Sequence, residues 1–277
     1  MAGKMIVVDT SKCIACRGCQ TACKQWNNLS AVLTVNRGGY ENPPDLGYNT
    51  YVKIRFNEME ADGEVRWLFG QDRCMHCTDA GCEKVCPVPG AITRDSNGAV
   101  LINQTLCTGC KYCVFGCPFD IPRFDSANKE GFGKDRAFKC TMCADRQGMG
   151  MAPACTKTCP TDALTFTDKS DLPAVAARAR KAGMTVYDGD ALSTNVVFLL
   201  EDNPLAYGLP AKPAIPTPIY LWRTVMKPVG VVAFVLGVLA VITHHVIVGP
   251  KEVEEGDDAP SSSPNQGGGG SDVSSSH

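Results

Sequence analysis

The sequence predicts an α+β protein: two pseudo-symmetric modules of short strands and helices around cysteine side chains, then one C-terminal transmembrane helix. Three observations carry this expectation. All sixteen cysteines of the 277-residue chain fall between Cys13 and Cys159, in four groups of four. The stretches between the groups are short, β-branched and punctuated by glycine turns. Residues 229–248 run for twenty positions without a formally charged side chain. The balance of 27 Lys+Arg against 29 Asp+Glu leaves a formal charge of −2, which excludes a strongly basic nucleic-acid binder. With 44% hydrophobic and 20% charged residues, wholesale disorder is excluded too.

In chain order, the opening MAGKMIVVDTSK carries neither a charged-then-apolar leader nor a twin-arginine pair, so export would have to be arranged by a partner. Residues 5–9 read as a strand leading into the first cysteine group. Residues 51–69 read as a hairpin turning at Asp62-Gly63, and residues 99–103 as another short strand. Asp171 can cap a helix through Ala182, with Pro173 in its first turn and Gly183 ending it; residues 194–202 then read as a strand. Pro204, Pro210, Pro213, Pro216 and Pro218 deny regular backbone pairing and predict an extended linker. At a rise of about 1.5 Å per residue the apolar run spans roughly 30 Å, a bilayer's hydrocarbon thickness. Pro228 suits its first turn, and Trp222, Arg223 and Lys227 form an interfacial flank. The competing reading is a buried core helix. One span makes an anchor, not a transporter. Residues 251–277 set one Lys against six acidic side chains, followed by Ser, Gly and Pro, and are expected to be disordered. The expected divisions are residues 1–170, 171–219, 220–249 and 250–277, with an inner module at about 70–122 inserted in the outer one.

The first and third cysteine groups (Cys13, Cys16, Cys19, Cys23; Cys107, Cys110, Cys113, Cys117) have the spacing C-x2-C-x2-C-x3-C. The second (Cys74, Cys77, Cys82, Cys86) is C-x2-C-x4-C-x3-C, and the last (Cys140, Cys143, Cys155, Cys159) is C-x2-C-x11-C-x3-C. Pro87, Pro118 and Pro160 follow three of the final cysteines, whereas Lys24 follows Cys23. This is the bacterial ferredoxin pattern, in which three thiolates hold one [4Fe–4S] cluster and the fourth reaches its neighbour. Zinc knuckles leave the third and fourth cysteines unexplained, and disulfides do not require repeated two-residue gaps. The short separation of Cys86 from Cys107 pairs the second group with the third, leaving the first to pair with the last. Exchange of the fourth cysteine within each pair gives four expected ligand sets: Cys13, Cys16, Cys19, Cys159; Cys23, Cys140, Cys143, Cys155; Cys74, Cys77, Cys82, Cys117; and Cys86, Cys107, Cys110, Cys113. Four one-electron centres in one chain describe a relay, and no phosphate loop, dinucleotide fingerprint or catalytic triad accompanies them. Lys111, Arg136 and Lys139 could raise a potential, although ordinary surface charge is the favoured reading. His76 is expected to sit beside its cluster. His244 and His245 read as a polar step at the far end of the span, where a partner's quinone or haem could also lie.

The words CIACRGCQTACKQWN (13–27), YENPPDLGYNT (40–50), RCMHCTDAGCEKVCPVPGAI (73–92), CTGCKYCVFGCPFDIPR (107–123) and KCTMCADR (139–146), with the MKP–span–HH–VGP sequence of residues 226–250, resemble the beta subunits of membrane-bound respiratory formate dehydrogenases. These belong to the four-cluster ferredoxin subunits of molybdopterin oxidoreductases. The resemblance implies a non-catalytic iron–sulfur subunit that takes electrons from an alpha subunit with a molybdenum or tungsten bis-pterin and passes them toward a membrane cytochrome b gamma subunit and quinone. The alternative is the iron–sulfur subunit of another molybdo-oxidoreductase or of a membrane-bound hydrogenase; a zinc- or disulfide-stapled membrane interaction protein is the reading from a different class. Arg223 and Lys227 before the span would keep the cysteine domain cytoplasmic under the positive-inside rule. The resemblance instead implies a periplasmic domain on a single-pass inner-membrane anchor, and that is the expectation followed.

Overall fold

The computed structural model describes residues 3–61, 63–125 and 135–249. The expected turn residue Asp62 and the acidic tail lie outside them. The first elements are β1 (Lys4–Asp9), α1 (Gly18–Trp26), β2 (Val52–Ala61), β3 (Glu64–Arg73) and α2 (Gly81–Val85). Next come β4 (Ile92–Arg94), β5 (Val100–Ile102), α3 (Tyr112–Phe115), β6 (Arg123–Phe124), β7 (Ala137–Phe138), α4 (Ala144–Gly148) and α5 (Ala154–Thr158). The last are β8 (Leu164–Asp168), α6 (Leu172–Lys181), β9 (Thr185–Tyr187), β10 (Val196–Leu200), α7 (Thr217–Leu221) and α8 (Lys227–Val248). A π-helical turn, Trp222–Met226, links α7 and α8.

Four strands form one sheet in the order β8-β1-β10-β9. Strand β1 runs parallel to β10 with Ile6 opposite Val196, and antiparallel to β8 with Ile6 opposite Phe166. Side chains alternate across a strand, so Met5 and Val7 face one way, against Val175 and Ala179 of α6 and Val197 and Leu199 of β10. Ile6 and Val8 face the other way, with Val196, Phe198 and Leu200, into a core that includes Cys19, Cys23, Met142 and Cys155. The sheet thus separates a helical cover from the cysteines.

That sheet removes the boundary expected at residue 171. Strands β9 and β10 complete the layer begun by β1, and the chain divides instead into compact units Met1–Lys227 and Pro228–His277. The proline-rich stretch is also pinned rather than free. Tyr207 and Leu209 are buried, the Tyr207 hydroxyl lies 3.1 Å from Thr10 Oγ1, and Tyr187 Oη donates to the Pro210 carbonyl at 2.8 Å. Proline loses an N–H but keeps its acceptor, so such a segment can still be fastened through side chains.

The β2–β3 hairpin pairs from Val52–Arg73 to Ala61–Glu64. On one face lie Val52, Ile54 and Phe56 with Arg73, Gln71, Phe69 and Trp67. Toward the turn this face carries an aromatic group, with Phe56 and Phe69 centroids 5.3 Å apart and Arg17 5.1 Å over Phe56. Toward the base it carries Gln71 and Arg73, both buried. The opposite face is ionic: Lys53 pairs with Glu41 and Asp72, and Arg55 with Asp72 at 2.9 Å.

In the second unit, α8 contains the stretch Lys227–Ile247, long and apolar enough to cross a membrane and with none of it buried. Large apolar side chains such as Phe234, Leu239 and Ile247 are exposed around it. A core helix would hide one face, so the buried-helix reading does not describe this segment.

Candidate metal-cluster centres

The opening C-x2-C turn of each cysteine group has the same backbone device. The second intervening residue is left-handed in all four: Ala15 (φ 53°), His76 (φ 48°), Gly109 (φ 71°) and Met142 (φ 55°). That reversal folds the two flanking cysteines back toward a common centre. Only Gly109 adopts it without side-chain strain; for the others it costs on the order of 1–3 kcal/mol each.

Short helices then divide the remaining cysteines. Helix α1 carries Cys19 and Cys23, one turn apart on one face. Helix α5, packed on α1, carries Cys155 and ends at Cys159. Cys13, Cys16, Cys19 and Cys159 line one hollow, walled by Val8, Ile54 and Leu164. Cys23 meets Cys140, Cys155 and Cys143, and burial first, then these neighbours, pushes its thiol up. The paired helices α2 and α3 repeat the arrangement. Cys74, Cys77, Cys82 and Cys117 line another hollow, and Cys86, Cys107, Cys110 and Cys113 a further one. Three cages thus have four sulfurs each around an apolar-walled hollow, and the Cys23 group is a fourth set of four sulfurs.

The cages follow one another. Cys19 of the first lies within electrostatic reach of Cys155 of the second, and Cys82 of the third within reach of Cys113 of the fourth. Cys140 and Cys74 share one buried core between the second and third. The end cages each contain an exposed cysteine, Cys16 and Cys110. All sixteen thiols are free, and among the described residues no three His, Cys, Asp or Glu side chains converge on a single ion. Sulfurs around a void suit a polynuclear group better than a lone zinc. Burial pushes the Cys19, Cys82, Cys113 and Cys143 thiols up to about 12, so without a metal they remain protonated.

Polar groups beside the cages fit an anionic occupant. Arg73 is 1% exposed; its guanidinium donates to Cys155 Sγ at 3.7 Å, Cys140 Sγ at 3.8 Å and Gln71 Oε1 at 3.3 Å. Lys139, expected at the surface, is buried, donates to the Cys140 carbonyl at 3.1 Å and to that of Val100, and lies beside Cys74 and Cys82. The correction follows from β7 leading straight into Cys140 of the second cage, so that Lys139 between them is carried inward, where it lines the third. Lys111 is more than half exposed and pairs with Asp135 at 3.3 Å. Neither Arg73 nor Lys139 takes part in any salt bridge to a carboxylate among the described residues. His76 is fully buried; its Nδ1 accepts from the Val100 N–H at 2.9 Å, and burial, Lys139 and Arg73 together hold its pKa far below normal. His76 Nε2 and Arg73 Nε have no hydrogen-bond partner. Two orphan nitrogens flanking Cys74 and Cys77, with two buried cations lacking carboxylates, are what an iron–sulfur cluster with acceptor sulfides would satisfy.

Sequence reasoning missed Gln71 and Arg73. Their signal was strand parity: they share the face of Phe69, which points inward at the hairpin base. His244 and His245 lie in the last turns of α8 with exposed side chains.

Residues 65–169 match the 4Fe-4S dicluster domain family, and residues 215–258 the family described as formate dehydrogenase N, transmembrane. The formate dehydrogenase-O iron-sulfur subunit of Escherichia coli is 39% identical over 260 residues, covering 90% of this chain and 85% of that protein. The formate dehydrogenase iron-sulfur subunit of Haemophilus influenzae is 39% identical over 265 residues, 91% of this chain and 83% of that one. Formate dehydrogenase 2 subunit beta (cytochrome c-553) of Nitratidesulfovibrio vulgaris is 38% identical over 216 residues, 74% of this chain and 96% of its own. Similarity that runs from the cysteine cages into the apolar helix makes the assignment: the chain belongs to the formate dehydrogenase iron–sulfur subunits.

Proposed function

We propose that the chain is a four-centre electron wire between a formate-oxidising catalytic subunit and a membrane electron acceptor. The observation that carries this reading is the succession of four cysteine cages with an exposed cysteine at each end. The proposed ligand sets are Cys13, Cys16, Cys19, Cys159; Cys23, Cys140, Cys143, Cys155; Cys74, Cys77, Cys82, Cys117; and Cys86, Cys107, Cys110, Cys113. When bound, each [4Fe–4S] cluster would supply a one-electron couple. The cysteines fix the position of each centre, the apolar walls exclude water, and Arg73 and Lys139 hold positive charge where negative charge collects. The two ferredoxin-like modules would be built on the α1–α5 and α2–α3 pairs.

The chain performs no substrate chemistry in this reading. The donor is a molybdenum- or tungsten-pterin alpha subunit, and the acceptor a membrane cytochrome b or quinone-reactive protein reached through the anchor helix. The cysteine domain lies on the periplasmic side of the inner membrane. Electron paramagnetic resonance on the anoxic, detergent-solubilised complex tests the reading, with formate added before dithionite. Reduced-cluster signals on formate alone support it. Signals on dithionite alone, with the partners still bound, assign the wire to a different donor. Protease added to intact spheroplasts should remove the cysteine domain; full protection reverses the orientation.

A further inference from the structure

The β2–β3 hairpin has no place in a minimal set of cysteine cages, yet the base of its inward face is driven between two of them. Gln71 and Arg73, two residues apart on β3, point the same way. Gln71 Nε2 donates to Cys19 Sγ of the first cage at 3.4 Å, and Gln71 Oε1 accepts from the Arg73 guanidinium at 3.3 Å. The guanidinium continues to Cys155 and Cys140 of the second cage. One side-chain chain therefore crosses from sulfur to sulfur between neighbouring centres. No other described Arg is as deeply buried, and its contacts here are all to sulfur or to the Gln71 amide oxygen.

We propose that Gln71 and Arg73 are positioning residues for electron transfer: they fix the facing sulfur edges of the first two cages, and the permanent charge of Arg73 raises the reduction potential of the centre held by Cys23, Cys140, Cys143 and Cys155. The inference rests on the reading of the cages as [4Fe–4S] sites. One-electron reduction of this centre, matched by one-electron oxidation of its neighbour, adds one negative charge to the second cage. Arg73 meets that charge in place, and no proton moves. A guanidinium keeps its proton in proteins, so Arg73 brings a fixed positive charge to the second cage. A permanent, water-free cation stabilises the more negative form of its neighbour and so favours reduction. Among the described residues no buried cation lines the fourth cage: Lys111 beside it is exposed and paired with Asp135. The wire would therefore be uneven, with its most easily reduced centre in the interior.

The test uses the whole membrane complex, unaltered and as the Arg73→Gln and Arg73→Lys variants, poised across a range of potentials and read by electron paramagnetic resonance. In Arg73→Gln one signal is expected to shift. At the poise that half-reduces this centre in the unaltered complex, its reduced-to-oxidised ratio should fall at least tenfold, equivalent to 59 mV for one electron. Arg73→Lys should recover most of that shift, because it restores charge without the planar fork. Unchanged potentials in an Arg73→Gln complex that keeps all its signals would overturn the proposal. Should Arg73→Gln fail to assemble, guanidino-¹⁵N arginine in the unaltered complex provides the second measurement. A ¹⁵N hyperfine coupling to a reduced centre, absent in Arg73→Lys, supports the contact; no coupling in the unaltered complex rules it out. Failure of the underlying reading looks different: the unaltered complex would then give no reduced [4Fe–4S] signals at all.

Discussion

The grouping of the cysteines is legible from spacing, whereas the buried charge beside them is not. Spacing made the four groups legible because the opening two-residue gap of each holds a backbone reversal, found at Ala15, His76, Gly109 and Met142. Lys139 and Arg73 gave no such signal; their burial depends on which way a short strand enters the cage. Cys110 is the most direct check of the ligand sets, being exposed in an end cage. Cys110→Ser should lose or alter one reduced-cluster signal and leave the others, and four unchanged signals would contradict its assignment. Asp45 makes a different prediction. Its carboxylate takes two hydrogen bonds from Arg123, at 3.0 and 3.1 Å, and one from the Leu46 N–H at 2.7 Å. Burial alone would raise its pKa, but Arg123 and the Leu46 N–H outweigh burial and hold it below the ordinary 3.8. A depressed carboxylate pKa adds stability above the unfolded value and loses it as pH falls through the folded one. Asp45 is largely exposed, so screening limits the contribution to at most about 1 kcal/mol. Asp45→Asn should lower the melting temperature slightly at pH 7, and the difference from the unaltered protein should shrink steadily as pH drops toward 3.

Among the elements, the helix pairs are alike in plan and unequal in tightness. A Cβ on Gly81 would run deep inside the van der Waals radius of the Gly116 carbonyl oxygen, a backbone atom that cannot step aside. A Cβ on Gly18 would meet Thr158 Cγ2 at 3.4 Å, an ordinary contact. Gly81→Ala is therefore expected to cost on the order of 1–3 kcal/mol by overpacking, and Gly18→Ala well under 1 kcal/mol. Denaturation of the two variants side by side checks the ordering. Strand alternation made β1, the hairpin and β10 legible, since apolar periodicity is local. Their assembly was not. The parallel pairing of β1 with β10 joins residues at opposite ends of the first unit, and nothing local in Ile6 or Val196 announces that partnership. Five prolines correctly denied regular pairing to the segment after β10, but composition could not reveal that Tyr207 and Tyr187 fasten it.

Across the whole molecule, one unit holds every cysteine and the other carries a helix whose described large apolar side chains are exposed. Placing lysines at Val235 and Leu239, in the middle of α8, adds about 3 kcal/mol each to the insertion cost. Val235→Lys with Leu239→Lys should release the chain from carbonate-washed membranes; retention would contradict the membrane assignment. The paired buried cations also bear on biogenesis. A desolvated charge without a counter-charge costs about 3–5 kcal/mol, and a whole domain is stable by only about 5–15 kcal/mol. Arg73 beside the second cage and Lys139 beside the third are both buried, and among the described residues neither pairs with a carboxylate. In a chain without its clusters these two charges would oppose closure around the cysteines. With the cages filled as proposed, the same two side chains would tie closure of the unit to the arrival of its anionic groups.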